Sequence, residues 1–180
     1  MYRLFAGLQL PDSVIARLVG LGGGVPGARW QQPEQVHMTL RFIGNVDGGM
    51  FDDVRYALAR AGNGDAFDLQ LSGVGNFGEG RRARAIWVGL LDSEPLTALQ
   101  ARIESVLVRA GLEPEQRKFK PHVTLARLKN PDMDRVRRFL SENAMFRSEP
   151  FRVDAFHLYS SQLSHNGSIY RIEESYPLAA

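Results

Sequence analysis

Cysteine is absent from the 180 residues, which excludes a disulfide framework, a thiolate nucleophile, an iron–sulfur cluster and a cysteine zinc site. Long apolar runs are absent too: none approaches the ~18 residues of a membrane span. The first eleven residues alternate and stop at Pro11, without the charged start and apolar block of a signal peptide. The cytoplasm is therefore the expected compartment. Neither sign of charge is in large excess, with 22 basic residues against 20 acidic and a net charge of +2. Hydrophobic residues at 44% and charged residues at 23% are ordinary globular values, which exclude a disordered tail, a collagen-like fibre and a coiled coil. A chain of this length buries about 70% of its unfolded surface and needs no staple. One domain is expected over residues 1–180.

What is present begins with punctuation. Residues 1–10 read as a strand, and Pro11-Asp12-Ser13 opens a helix to Gly20. The glycine-rich stretch 21–27 is not followed by Gly-Lys-Ser/Thr, so it reads as a connection rather than a phosphate cradle. Residues 36–43 form a strand, 50–61 a helix ended by Gly62-Asn63-Gly64, and 67–74 and 84–90 two further strands. A second cycle follows: helix 94–110 with Leu96, Leu99, Ile103, Val106 and Leu107 on one stripe, strand 122–125, and helix 131–143 with Val136, Phe139 and Leu140 inward. Strands 151–160 and 168–176 close the chain, joined by a hairpin at Asn166-Gly167. Nearly the same series occurs twice, only the leading strand lacking a clear second copy. The expectation is two lobes of one α+β domain.

The halves also share a motif. His37-Met38-Thr39-Leu40 lies on the strand of the first cycle, and His122-Val123-Thr124-Leu125 on the matching strand of the second. The chain has only three threonines, and two stand two places after a histidine. Chance would do this roughly once in 700 such chains, so the pair is treated as one constellation. Side chains alternate along a strand. His37 and Thr39 therefore share a face opposite Met38 and Leu40, as do His122 and Thr124 opposite Val123 and Leu125. If the apolar faces take the helices, facing lobes bring two imidazoles and two hydroxyls into one cleft.

Such a set suits acid–base work on a phosphodiester. A neutral imidazole takes a proton from the attacking oxygen and an imidazolium gives one to the leaving oxygen; the hydroxyls donate to the non-bridging oxygens. The basic residues fall in clusters, Arg81, Arg82 and Arg84 in one, Arg117, Lys118, Lys120, Arg127 and Lys129 in the other. Arginine forks fit phosphates, and a solvated face is the plain alternative. His157 lacks a following threonine and His165 sits at the hairpin turn, so both read as structural. Metal binding is the rival use of His37 and His122, but neither motif carries a carboxylate and no His-Glu-x-x-His is present.

These paired motifs, 85 residues apart, resemble the two-histidine phosphoesterase superfamily, and within it the LigT-like RNA 2′,3′-cyclic phosphodiesterases, formerly called 2′-5′ RNA ligases. The likeness extends over nearly the whole chain: Arg3 to Ala6 with Leu10-Pro11, Trp30, the block His37 to Gly44, the block Pro121 to Arg127, and the closing hairpin from Phe156 to Tyr170. The resemblance implies a bilobal α+β fold with pseudo-twofold duplication, two antiparallel sheets lining a central cleft and helices outside. It implies hydrolysis of a terminal 2′,3′-cyclic phosphate on RNA to a 2′-phosphate, without metal, ATP or other cofactor. A monomer with no obligate protein partner and no membrane association is expected. His37 would be the general acid toward the 3′ oxygen and His122 the general base for water. Thr39, Thr124 and Arg127 would hold the phosphate, Phe42 would stack on the terminal base, and the basic clusters would hold the upstream backbone. Small cyclic nucleotides, 2′-5′ RNA junctions in the ligating direction, and non-catalytic binding of RNA ends are the alternatives. One feature defies simple alternation: Phe42 and Arg127 each lie five residues past a histidine, an odd offset that needs a bulge or strand end to turn them back.

Overall fold

The computed structural model describes residues 1–180. Its order is β1 (Tyr2–Leu8), α1 (Asp12–Gly20), β2 (Arg29–Trp30), β3 (Met38–Val46), α2 (Gly48–Ala59), β4 (Phe67–Leu69), β5 (Leu71–Phe77), β6 (Ala85–Leu90), α3 (Glu94–Arg109), β7 (Val123–Arg127), α4 (Met133–Glu142), β8 (Phe151–Val153), β9 (Ala155–Ser164) and β10 (Gly167–Pro177). Three of the four helices start where a side chain can accept from an orphan backbone N–H, while α1 starts after Pro11 without such a cap. Asp47 caps α2, Ser93 caps α3 and Asp132 caps α4. The stripe expected on α3 is buried throughout, Leu96, Leu99, Ile103, Val106 and Leu107, each contributing about 1.5–3 kcal/mol. No helix is long and apolar enough to cross a membrane.

Two antiparallel four-stranded sheets form, one ordered β10-β9-β1-β3 and the other β2-β7-β6-β5, with β4 and β8 paired as a separate ribbon. The α+β class and the antiparallel sheets agree with the sequence. Two expected strands do not: 67–74 and 151–160 each break in two, at Gln70 and Asp154, because each is shared between the ribbon and a main sheet.

The frame of the repeat is also different. Helix α1 to α3, histidine to histidine, α2 to α4 and β4 to β8 are all separated by 82–85 positions, and so are β1 and β6. The missing copy of the leading strand is therefore β6, which the sequence had placed at the end of the first cycle. Each repeat runs strand, helix, strand, helix, broken strand; the short β2 in the first repeat and β10 at the end are additions. Nor does each repeat make its own lobe. β3 pairs with β1 and β7 with β6 of the same repeat, but the third strand is exchanged: β9 adds to β1, and β5 to β6. Helices are exchanged likewise. α2 and α3 pack against β3, while Leu18 of α1 shares a small cavity with Trp30 and Leu125, and Phe139 of α4 meets Trp30 at 5.3 Å. The β4–β8 ribbon, with Phe67 opposite Val153 and Leu69 opposite Phe151, is where the repeats cross. Exchange welds the lobes: 39 buried residues form one continuous apolar cluster.

Glycine matters at two places here. A Cβ on Gly7 would stand 2.7 Å from the Met38 carbonyl, so its absence lets β1 approach β3 at the first motif. Gly167, at φ +105, supplies the left-handed residue after the His165-Asn166 turn, the hairpin that the Asn-Gly pair announced.

Candidate active site

Both histidines stand one residue before a strand, where the chain leaves a loop. Each turns its Nδ1 back to the carbonyl two residues earlier, His37 to Gln35 at 2.7 Å and His122 to Lys120 at 2.6 Å. A carbonyl can only accept, so Nδ1 carries the proton and the neutral ring presents the lone pair of Nε2 to the cleft. The Thr39 hydroxyl donates to Nε2 of His37 at 2.8 Å; Nε2 of His122 has no protein partner. Aromatic rings wall both imidazoles. Phe5 lies 4.8 Å and Tyr170 4.9 Å from His37, and Phe77 lies edge-on at 4.8 Å from His122.

Burial pushes the His37 imidazole down to about 4, against its ordinary 6.5. The Gln35 carbonyl opposes the shift, while the charge of Arg127 and the neighbouring His122 add to it. His122 is lowered for the same first reason, with the Lys120 carbonyl opposing and Arg127 assisting. Arg127 thus acts on both rings, although it makes no ion pair of its own.

The odd offset of Phe42 and Arg127 is resolved by one bulge in each motif strand. On β3, Gly7 faces Thr39 but Ala6 faces Arg41, leaving Leu40 as the extra residue; on β7, Trp87 faces Thr124 but Ile86 faces Ala126, leaving Leu125. The bulges stand three residues past each histidine. Each shifts the alternation by one, so the burial sequence is the same in both strands: buried, half-buried, buried, buried, exposed. Thr39 and Phe42 consequently open on one side with His37, and Thr124 and Arg127 with His122. The third buried residue of that series is Ala126 in β7 but Arg41 in β3. Arg41 is kept there by a two-pronged pair with Glu104 (2.7 and 3.2 Å) and by donation to the Phe42 and Glu113 carbonyls at 2.6 Å each.

All six residues singled out by the sequence line one cleft of about 300 Å³ between the two sheets. Its wall also has residues that sequence reasoning did not select: Arg3, Gln35, Phe77, Ser161, Ser168 and Tyr170. Phe77 and Ser161 are 84 positions apart, so the repeat period, correctly framed, is a signal that pairs them. Arg3 lies 5.2 Å over the Phe42 ring and Arg84 5.5 Å over the Phe77 ring, one on each lip. Arg3, Arg84 and Arg127 face no carboxylate among the lining residues, a field that attracts anions. Of the first basic cluster only Arg84 reaches the cleft. His157 is buried with Nδ1 2.8 Å from Ser175 Oγ, and His165 lies in the hairpin turn. Thr97, the threonine without a histidine, bonds back to the Ser93 carbonyl in α3.

Comparison with known proteins agrees with this geometry. The family model described as the 2′-5′ RNA ligase superfamily matches residues 25–164. A protein of Thermotoga maritima named RNA 2′,3′-cyclic phosphodiesterase is 32% identical over 148 residues, 81% of this chain and 77% of the other. One of the same name from Aeropyrum pernix is 32% identical over 82% of this chain and 84% of its own. Among solved structures, Escherichia coli LigT complexed with 3′-AMP superposes with a TM-score of 0.79 at 21% identity, covering 99% of both chains. At that identity the superposition speaks for the fold alone.

Proposed function

The chain belongs to the 2′-5′ RNA ligase superfamily, and from that premise we propose that it is an RNA 2′,3′-cyclic phosphodiesterase. Residues 1–180 act as one two-lobed domain that opens the terminal cyclic phosphate to a 2′-phosphate by imidazole acid–base catalysis. The observation that carries the reading is the matched pair of histidines, each with its Nδ1 on a backbone carbonyl and its Nε2 toward a carboxylate-free cleft. Binding an anion calls for cations. Two imidazoles presented in the same tautomer from opposite sheets are what proton transfer calls for.

In the proposed reaction Nε2 of His122 takes a proton from water as the water oxygen bonds to phosphorus. The bond from phosphorus to the 3′ oxygen breaks in line, and that oxygen receives the proton carried on Nε2 of His37. Charge gathers on the non-bridging oxygens, where Thr124, Arg127 and the Thr39 hydroxyl donate. Phe42, with Arg3 over its ring, offers a face to the terminal base. His37 must hold its proton against the burial that lowers its pKa to about 4. The anionic phosphate supplies the compensation, since a negative charge beside an imidazole favours its charged form. Substrate arrival thus charges the acid that substrate needs. Neither step uses a metal or ATP, and one chain contributes both histidines, so a monomer in the cytoplasm suffices.

The family description also names ligation. By microscopic reversibility the same pair can join ends, a 5′-hydroxyl replacing water in the reverse of strand cleavage. The test is a short RNA ending in a 2′,3′-cyclic phosphate, incubated with wild type, His37→Ala and His122→Ala. Each substitution is expected to lower turnover about 10²–10⁴-fold. Full activity in either variant would remove that histidine from the chemistry.

A further inference from the structure

The cleft does not end at the catalytic pair. It continues past Phe42, Phe77 and Arg84, which line both spaces, into a groove of about 450 Å³ walled by residues 115–120. The groove is larger than the cleft that feeds it, and small-molecule sites begin at about the size of the cleft alone. Its charge is lopsided. Arg84, Arg117, Lys118 and Lys120 line it against one carboxylate, Glu115, which already accepts from the backbone N–H of Arg117 at 3.0 Å and from its guanidinium at 3.4 Å.

Three aromatic faces accompany the cations. Phe42 is 41% exposed, Phe77 is half-buried, and Phe119 rests against the core while still bordering the groove. The order Arg117-Lys118-Phe119-Lys120 sets a ring among charges at single-residue spacing. The wall has no regular secondary structure, yet it is tied down at three points. Arg41 holds the Glu113 carbonyl at 2.6 Å, Glu104 holds the backbone N–H of Glu115 at 3.3 Å, and the Lys120 carbonyl accepts from His122. The wall is therefore pre-positioned, and it ends on the carbonyl that sets the tautomer of His122.

We infer that this groove is the track for the single-stranded RNA preceding the terminal nucleotide, so that the protein selects oligonucleotides over mononucleotides. Cations suit a phosphate backbone, and rings with an open face suit unpaired bases of any sequence. An acidic peptide would engage the cations and leave the rings without work. The inference rests on the hydrolase reading above, from which it takes the terminal nucleotide's place in the cleft.

The test measures binding and turnover separately. Binding uses a hexanucleotide ending in a 2′-phosphate, which is product and cannot react, against the 2′-phosphorylated mononucleotide. Wild type is expected to hold the hexamer about tenfold tighter or more. Arg117→Ala/Lys118→Ala removes two phosphate contacts. At a salt slope of about 0.7 per contact for single strands, wild-type affinity should then fall about sevenfold more than the variant's between 50 and 200 mM salt. Phe119→Leu keeps an apolar filler under the wall and removes the ring, and should weaken the hexamer about fivefold or more with thermal unfolding unchanged. A hexamer bound no better than the mononucleotide would overturn the inference, as would a preference and salt slope that survive the double substitution. Turnover keeps the two readings apart. Equal kcat/KM on cyclic-ended hexamer and cyclic mononucleotide would leave the hydrolase intact and remove the groove. A hexamer gripped through these residues whose cyclic end is never opened would do the reverse.

Discussion

Acidification probes the burial of the first histidine directly. At pH 7 an imidazole with a folded pKa near 4 and an ordinary value of 6.5 is largely neutral in both the folded and unfolded chain, so refusing a proton carries almost no penalty there. Below 6.5 the unfolded chain takes up a proton that the folded chain refuses. Stability from this group is therefore complete above 6.5 and is lost as pH falls through 4. The full shift corresponds to about 3 kcal/mol, of which about 2 kcal/mol is lost between pH 7 and pH 5. Other buried groups, including His122 and His157, titrate as well, but they are common to wild type and His37→Gln and cancel in the difference. Urea unfolding of both proteins at half-unit steps of pH isolates the contribution: wild type should lose about 2 kcal/mol more than the variant over that interval. Parallel curves would show that His37 is hydrated in solution, and the argument that substrate must charge it would fall.

Product binding should act on the same ring. A saturating 2′-phosphorylated nucleotide is expected to raise the His37 pKa by about one unit or more, read by nitrogen-15 chemical shifts, and no shift would contradict phosphate-assisted charging. Arg127→Met removes the cation that depresses both imidazoles, so both should titrate higher in the free protein while kcat/KM falls about 10²–10³-fold. Arg41→Met leaves Glu104 without its partner and two carbonyls without donors; a loss of about 3 kcal/mol in denaturant midpoint analysis is expected. Gly7→Ala sets a methyl against the Met38 carbonyl and should cost about 1–3 kcal/mol, visible as a lower Tm.

Local chemistry was the most legible part of this chain. The helices follow from Pro11-Asp12-Ser13 before α1, the Gly62-Asn63-Gly64 stop after α2 and the apolar stripes of α3 and α4, and the two histidines from a duplicated triplet. The α+β class follows from the alternation of helices with hairpin strands. What stayed hidden depends on pairing between distant segments. β6 reads as the end of one cycle because it follows β5 closely; its spacing from β1 and its pairing with β7 together identify it as the leading strand of the second repeat. The breaks at Gln70 and Asp154 arise from one strand serving two sheets, which a single residue inside an otherwise strand-like run does not announce. Leu40 and Leu125 look like any alternating leucines, because a bulge adds a residue without altering composition. Simple alternation sets Arg41 on the face of His37 and Thr39, whereas the bulge turns it inward to Glu104. Arg3 and Tyr170, from opposite ends of the chain, meet the first motif only after β1 pairs with β3 and β10 joins through β9.

The most direct test of the two-imidazole account is the regiochemistry of the product. Phosphorus-31 spectra of a short RNA ending in a 2′,3′-cyclic phosphate, treated with protein in EDTA without ATP, identify which ester bond opened. The account predicts a 2′-phosphomonoester, formed by wild type and lost in both His37→Ala and His122→Ala. A 3′-phosphomonoester, or activity that appears only when a divalent metal is restored, would contradict it.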